Sequence, residues 1–222
     1  MNSASRGLEA ASTPTHELVY QTLRDMVLFG DFEPGQAVTI QGLTQSLSAG
    51  VTPVREAIRR LIAEGALQMQ GNRRVCVPVL KASDVQELLY ARIALETELT
   101  RRAMTRVQPA DLERLSQIDS RLDSAIAAGN IRAYLQLNHL FHTELFKISE
   151  APVLHEITDK LWLRFGPLLR DFIENNGLPD MPDCHKDLLT AFEQQDRESA
   201  ERAIIGDIEQ GIGRIKTFEG TA

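Results

Sequence analysis

The chain has 222 residues, of which 43% are hydrophobic, and this composition excludes wholesale disorder and predicts a sizeable buried core. No apolar run approaches the roughly 20 residues of a membrane helix, and residues 1–15 lack the apolar segment of a signal peptide, so we expect a cytoplasmic protein without a membrane partner. Cys76 and Cys184 are the only cysteines and lie far apart in the sequence, which argues against a disulfide framework and against a cysteine-based zinc site.

The net charge of −7 is unevenly distributed along the chain. Residues 1–80 contain seven Lys or Arg and seven Asp or Glu, so the whole acidic excess lies in residues 81–222. Residues 51–80 hold five arginines against two glutamates, a local charge of +3. A small basic segment on an acidic body argues against general nucleic-acid binding and favours site-specific binding to DNA.

Two helices are predicted near the start of the chain, after a disordered tail rich in Ser, Ala and Thr over residues 1–15. Apolar residues at helical spacing predict the first helix over 16–29, ending at Gly30. A turn follows, and Thr39 is the expected cap of a short second helix.

A third helix is predicted over residues 51–65. Thr52 is its expected cap, Pro53 suits the first turn because proline lacks an N–H donor, and Gly65 suits its end. Its apolar face contains Val54, Ala57, Ile58, Leu61 and Ile62, and its opposite, cationic face contains Arg55, Arg59 and Arg60. Taken alone, it is either a DNA-recognition helix or an ordinary amphipathic helix with a solvated basic face.

The next segment predicts a β-hairpin. Residues 67–70 and 75–77 can pair as strands across a turn that presents Arg73 and Arg74, side chains suited to phosphate or minor-groove contact. Three helices with short turns, the last one cationic, are typical of a helix-turn-helix that places its last helix in the major groove of DNA. The hairpin has the position of a wing, and this context favours the recognition-helix interpretation.

Residues 16–79 resemble the winged helix-turn-helix of GntR-family bacterial transcription regulators. The resemblance rests on Leu23-Arg24, Gly30, Pro34-Gly35, Leu43, Thr52-Pro53-Val54-Arg55-Glu56-Ala57-Ile58, Leu61 and Glu64-Gly65. It implies that Arg55 contacts a base or a phosphate in the groove. Thr52 and Pro53 would then lie at the start of the recognition helix, with Arg59 beside the DNA backbone.

The chain departs from this family at three positions. Val51 and Gln41 stand where arginine is common, and Arg74 replaces the usual glycine of the wing. We assign Gln41, Arg73 and Arg74 to the DNA-binding surface together with the residues of the third helix. The departures leave the operator sequence open.

Residues 81–222 are predicted to form an all-α antiparallel bundle. Caps and breakers divide this part of the chain into six helices, over 83–106, 109–128, 131–149, 152–175, 183–194 and 197–217. Gly166-Pro167 lies inside the fourth of them and should kink it. The predicted fold is therefore mainly α, with a winged helix-turn-helix and a small β-hairpin wing over 16–80, followed by the bundle.

Arg92 lies in the middle of an apolar stripe on the first bundle helix, where a guanidinium requires an anion. Glu96, one turn later, is one candidate partner. The other is a ligand carboxylate, which the planar guanidinium can bind with two parallel hydrogen bonds. The sequence leaves both alternatives open.

Four residues of the bundle form a candidate metal site. Asn138 and His142 are four residues apart and share a helix face. His185 precedes a helical hairpin turn near residue 196 by eleven residues, and Asp207 follows it by eleven, so the two should lie at one level. Such N and O donors suit Zn²⁺, Ni²⁺ or a similar ion. The alternative is that these are ordinary core or surface histidines.

Residues 84–215 resemble the FCD domain, the helical effector domain of the FadR subfamily of GntR regulators. The matching residues are Arg92, Leu95-Glu96, Asn138, Phe141-His142, His185, Leu188-Leu189, Ala191-Phe192, Asp196 and Ala200. In many such domains an Asp and three His hold a metal, and a carboxylate effector completes its coordination. Here Asn138 replaces the usual Asp and Asp207 the usual third His. The count of six helices resembles the VanR-like group.

These features predict a homodimeric transcription regulator, more often a repressor in this family, that binds a double-stranded operator and senses a small carboxylate. One alternative is a metal-dependent hydrolase or hydratase, although no general base lies at a suitable spacing from the proposed ligands. Another is that the bundle is a ligand-free dimerisation module. Ligand-dependent operator binding and turnover distinguish the three.

Overall fold

The computed structural model describes residues 15–71, 74–177 and 183–213. Of the tail proposed over 1–15, only Thr15 is among them, as the first residue of a helix. The N-terminal part is a compact module of three helices and three short strands. In chain order these are α1 (Thr15–Leu28), β1 (Ala37–Val38), α2 (Ile40–Ser46), α3 (Val51–Ala63), β2 (Gln68–Gln70) and β3 (Arg74–Cys76). All three expected helices are present, and α1 begins one residue before the predicted start.

The helix ends of this module follow local capping chemistry. Thr39 caps α2 as expected, because its side chain accepts a hydrogen bond from the backbone N–H of Gly42. The expectation that Thr52 caps α3 is wrong: Gly50 is the N-cap, and Thr52 lies inside the first turn, exposed to solvent. The φ of Gly65 is +77°, the left-handed conformation that ends a helix most readily at glycine.

The wing is a three-stranded antiparallel sheet in the order β1-β3-β2. β2 and β3 form the predicted hairpin, in a register that places Met69 opposite Val75. The sequence missed β1, because two residues are too few to show an alternating pattern. The predicted arginine tip is only partly visible, since Arg73 lies outside the described residues.

The C-terminal part is a bundle of helices, as predicted. Its described elements are α4 (Ala82–Met104), α5 (Pro109–Ala127), α6 (Ile131–Ile148), α7 (Pro152–Asn176), α8 (Cys184–Glu193) and α9 (Arg197–Gly213). α4 packs against α6, α7 and α9, and α5 packs against α6 and α8. Fully buried side chains such as Leu99, Phe141, Leu163 and Phe192 fill the space between them. None of the helices in the described ranges is long and apolar enough to cross a membrane.

Gly166 lies where the backbones of the two parts of the chain approach closely. A Cβ atom at this position would lie 1.9 Å from the backbone oxygen of Leu28, at the end of α1. The glycine therefore allows contact between the backbones of α1 and α7. α7 is one continuous helix through Pro167, so the kink expected at Gly166-Pro167 stays a prediction. The glycine serves interhelical packing.

Polar and aromatic contacts hold the N-terminal module against the bundle. Arg24 on α1 donates to Asp159 on α7 at 3.0 Å. Asp31 pairs with Arg132 at the start of α6. The ring of Phe29 lies edge-on to His139 of α6, with centroids 5.9 Å apart. The module thus contacts the two helices α6 and α7 directly.

Candidate nucleic-acid interface and ligand site

Three of the arginines assigned to DNA binding line one groove. Arg55 and Arg59 of α3 and Arg74 of β3 border a groove between α3 and the sheet, with Met69 also in its wall. All three arginines are exposed. Among the described residues, the ion pair of Arg59 is a long contact of 3.9 Å with Glu56. A cationic groove beside a helix with an exposed N-terminal turn suits the DNA backbone.

The cationic face of α3 is narrower than the sequence predicted, because Arg60 packs against α1. Its guanidinium carbon lies 3.4 Å from the centre of the Tyr20 ring, and its Nη1 atom lies 2.7 Å from Glu17. The Tyr20 hydroxyl donates to Glu64 at 2.7 Å. Burial, reinforced by Glu64, raises the pKa of Tyr20 to about 12. Arg60 therefore stabilises the helical module, and Arg55 and Arg59 stay the predicted DNA contacts of this face.

The other residues assigned to DNA lie around the same surface. Gln41 is exposed on α2, Thr52 is exposed on the first turn of α3, and Pro53 beside it is half-buried. Arg73 is not among the described residues. Their roles toward DNA remain predictions.

His142 and His185 meet at Asp207 inside the bundle. The two imidazole rings have centroids 5.4 Å apart. Nε2 of His142 lies 3.0 Å from one Asp207 oxygen, and Nε2 of His185 lies 3.5 Å from the other. The convergence predicted from the spacing around the α8–α9 turn is thus present.

A second carboxylate stands behind each of these histidines. Glu96 lies 3.5 Å from Nδ1 of His142, and Asp119 lies 3.4 Å from Nδ1 of His185. An imidazole whose Nδ1 faces a carboxylate presents Nε2 in the opposite direction, as metal-binding histidines do. Both Nε2 atoms are accordingly directed at Asp207.

The donor set fits a divalent metal ion. Ligand atoms of His142, His185 and Asp207 all lie within 4.8 Å of one another. Four ligands at about 2.1 Å from a zinc ion are about 3.4 Å apart, close to the contacts described above. In the part of the chain that the structure describes, neither Nε2 atom makes a well-aligned hydrogen bond, although each lies near an Asp207 oxygen. A metal ion between these nitrogens and Asp207 would give all of them a partner.

Charge holds the histidine cluster together in the protein without a metal. Burial by itself lowers the pKa of His142, but the nearby Asp207 and Glu96 carboxylates outweigh it and raise the pKa to about 9. Burial by itself raises the pKa of Asp207, but the positive charges of the two histidines and Arg92 outweigh it, and the pKa is lowered. His142 is thus an imidazolium between two carboxylates at neutral pH.

Arg92 pairs with Glu96, one of the two alternatives left open by the sequence. Its Nε donates to Glu96 at 2.6 Å, and both side chains are almost fully buried. The guanidinium also stacks between two rings, 4.2 Å from the centre of Trp162 and 4.4 Å from that of Phe165. Since Glu96 also approaches His142, one carboxylate joins the arginine to the histidine cluster.

A cavity lies beside this cluster, between α4, α6, α7 and α9. Its polar wall is formed by Arg92, Asn138, Asp207 and Gln210. Its apolar wall consists mainly of Tyr134, Trp162, Phe165, Leu169, Phe172 and Ile173. The structure therefore brings Asn138 and Arg92, two of the predicted ligand-site residues, to one cavity with Asp207.

Sequence reasoning missed Asp119, Trp162 and the contact of Glu96 with His142. Asp119 had a visible signal, because it occupies a position in the apolar stripe of α5 between Ile118 and Leu122. An acidic residue in such a stripe requires a partner. Trp162 had no signal, because an aromatic residue on a buried helix face is ordinary core by pattern alone.

Comparisons with known proteins agree with this architecture. Residues 15–77 match the family model "Bacterial regulatory proteins, gntR family", and residues 87–210 match the FCD domain. The chain is similar to the HTH-type transcriptional regulator McbR of Escherichia coli, at 27% identity over 206 residues that cover 87% of this chain and 89% of McbR. It is 21% identical to the repressor RspR of the same organism, over 91% of both chains.

The solved structure of E. coli McbR/YncC superposes with a TM-score of 0.86 at 25% identity, covering 93% of this chain and 100% of the other. These relatives are transcription regulators and not enzymes, which removes the hydrolase alternative. The two matches to family models together span both structural parts of the chain. The chain therefore belongs to the GntR family of bacterial transcription regulators, with an N-terminal winged helix-turn-helix and a C-terminal FCD domain.

Proposed function

We propose that this regulator is a cytoplasmic homodimer that represses transcription from an operator and responds to a small carboxylate bound in the helical domain. The repressor role is supported by relatives such as RspR, which is named a transcriptional repressor. A dimer is common among regulators with a small DNA-binding module, because two copies of α3 can then bind the two half-sites of a palindrome.

The proposed sensor is the histidine cluster, and its carboxylate–imidazole–Asp207 arrangement is the observation that carries the proposal. His142, His185 and Asp207 would hold a divalent ion such as Zn²⁺ or Ni²⁺, with Asn138 as a weaker fourth ligand. When bound, the ion would supply positive charge and open coordination positions for a carboxylate. Glu96 and Asp119 keep the two imidazoles in the orientation that this requires.

Arg92 is the proposed second handle for the effector. It lines the cavity beside Asp207, and its guanidinium has N–H donors beyond the Nε and Nη2 groups that face Glu96. The two flanking aromatic rings fix its plane and keep it desolvated. A carboxylate entering the cavity meets a guanidinium that is already oriented.

The contacts between the module and the bundle give the effector a route to the DNA. α6 carries Asn138 and His142 toward the ligand site and His139 toward Phe29 of the DNA-binding module. Trp162 of α7 contacts both the Arg92 guanidinium and the His139 ring. An effector that binds two arrangements of α6 and α7 with different affinity shifts their populations, and with them the position of α3.

The second candidate function is a ligand-free dimerisation module, and one observation favours it. The bidentate approach of Arg92 to Glu96 already satisfies the buried charge without any ligand. In this alternative His142 and His185 are packing residues held by their carboxylates.

Metal content separates the two functions. The protein would be purified without a His tag, loaded mildly with Zn²⁺, and analysed by mass spectrometry beside His142→Ala and His185→Ala. The proposal expects loss of metal in both variants, with full content in the control His16→Ala, which alters an exposed residue of α1. Equal metal content in all four proteins would contradict the sensor and leave the dimerisation module.

A carboxylate-binding test completes the assignment. Arg92→Ala should retain metal while losing affinity for acetate, used as the simplest carboxylate probe, because the guanidinium is lost and the ligands are not. Retained acetate affinity in this variant would exclude Arg92 as the effector handle.

A further inference from the structure

The side of α3 that faces the arginine-lined groove continues to the first residue of the helix. In the groove this side consists of Arg55, Ile58, Arg59 and Ile62. At 3.6 residues per turn, Val51 lies about 40° around the helix axis from Arg55 and about 20° from Ile58. Val51 therefore belongs to the same side of α3, one turn before Arg55.

Val51 is an apolar side chain that the fold leaves uncovered. It is the first residue of α3 and is 48% exposed, whereas Val54 in the same turn is fully buried. The N-cap before it is Gly50, which has no side chain to shield it. The N-terminal residues of a recognition helix are those that contact base edges. The isopropyl group of Val51 is therefore exposed at the end of α3 that approaches the bases.

The major groove offers such a side chain one suitable partner. Guanine, adenine and cytosine present hydrogen-bond donors and acceptors there, and thymine alone adds a methyl group, at C5. The side chain of valine has neither a donor nor an acceptor. Against the other bases it would displace water without replacing the lost hydrogen bonds. Against thymine, two apolar groups leave water together.

The spacing along α3 relates this contact to that of Arg55. The helix rises about 5.4 Å between residues one turn apart, and successive bases of a strand are about 3.4 Å apart. A guanidinium that contacts a base in the major groove most often binds guanine. Residues 51 and 55 would then face bases one or two steps apart.

From this placement we infer that Val51 selects a thymine in the operator by contact with its C5 methyl group, one or two base pairs from the base that Arg55 contacts. The inference goes beyond the proposed function, which leaves the operator sequence open. It rests on the binding of α3 in the major groove and is independent of the ligand site in the bundle.

The test removes one methyl group from the DNA and leaves the protein unchanged. Sites would be selected from a random duplex library with the full chain, both zinc-loaded and chelator-treated. Each thymine that recurs would then be replaced by deoxyuridine, which lacks only the C5 methyl group, and affinities measured by fluorescence anisotropy at fixed salt. We expect one thymine per half-site at which the replacement weakens binding about fourfold, as burial of one methyl-sized group predicts.

Variants of the protein identify the side chain that contacts the methyl group. Val51→Ala should weaken binding to the thymine site and bind the thymine and deoxyuridine sites with nearly equal affinity. Val51→Ile keeps a branched apolar side chain and should retain most of the preference for thymine. The matched control Val153→Ala makes the same change in the first turn of α7, at a valine that is 70% exposed, and should retain all of it.

The outcomes distinguish this inference from DNA binding itself. Failure to select any sequence, in both metal states, would overturn the role of α3 in the groove and the inference with it. Selected sites without a methyl-dependent thymine would overturn the inference alone. A preference for thymine over deoxyuridine that Val51→Ala leaves unchanged would also overturn it, because another residue would then contact the methyl group.

Discussion

The contact between α1 and α7 leaves no room for a side chain at position 166. A Cβ atom in Gly166→Ala would lie 1.9 Å from the Leu28 oxygen and 2.8 Å from the carbonyl carbon. The atoms it meets are backbone, so no change of rotamer relieves the overlap. Since an ordinary C···O contact is about 3.3 Å, the end of α1 and the middle of α7 must separate by about 1.4 Å.

The expected cost of this separation follows from two opposing effects. Overpacking a well-packed contact destabilises by about 1–3 kcal/mol, and alanine in place of glycine inside a helix returns about 1 kcal/mol. The same movement stretches the 3.0 Å ion pair between Arg24 and Asp159. We therefore expect Gly166→Ala to lower the free energy of unfolding by up to about 2 kcal/mol.

Urea unfolding followed by the fluorescence emission of Trp162 measures this loss of stability. Trp162 reports on the contact between the module and the bundle because its ring contacts His139. Gly206→Ala is the matched control. It is also a helical glycine, but its new Cβ would meet only the Cys184 sulfur at 3.3 Å, so helix propensity should dominate and stability should stay equal or rise. If Gly166→Ala raised the free energy of unfolding by about 1 kcal/mol, helix propensity alone would explain the change, and the close contact would be refuted.

Four further predictions concern the metal site, the DNA surface and assembly. Asp119→Asn should lower zinc affinity about 10–100-fold in calorimetric titration, since it removes the carboxylate behind His185, whereas Asp123→Asn should leave it unchanged. Arg55→Ala should cost about 1–3 kcal/mol of operator affinity and relax the preference at one base pair, measured at fixed salt on DNA selected from a random library. Arg74→Ala should weaken all DNA sequences alike and reduce the salt slope by about 1. In sedimentation velocity the full chain should have twice the mass of one chain.

Each of these has an outcome that would contradict it. Equal zinc affinity in the Asp119 and Asp123 variants would make Asp119 a packing partner of His185 only. Undiminished operator binding by Arg55→Ala would contradict the prediction that α3 contacts bases in the DNA groove. A sequence-dependent effect of Arg74→Ala would indicate that the wing contacts bases and not only phosphates. A monomer at micromolar concentration would exclude the dimer.

The helices of both parts could be predicted closely because their signals are local. Proline at 109 and 152 and glycine at 65 and 129 mark helix boundaries, and apolar spacing marks the buried faces. The histidine cluster was also accessible, since the short α8–α9 turn fixes which residues of the hairpin lie side by side. The cap of α3 was predicted wrongly because Gly50 and Thr52 are both acceptable at a helix start, and the backbone before α3 decides between them.

What the sequence by itself determined is therefore the class of fold, the approximate helix boundaries, the position of α3 and the pairing of His185 with Asp207. Only the tertiary structure decided that Arg60 packs against α1 and that Arg92 pairs with Glu96. It also decided that a carboxylate lies near Nδ1 of each histidine. It also decided the role of Gly166, whose contact joins residues 138 positions apart. The physical reason is the same in each case. Helix periodicity specifies which residues share a face. The partner of a buried charge, or of the backbone at a glycine, depends on how the helices and strands pack against one another.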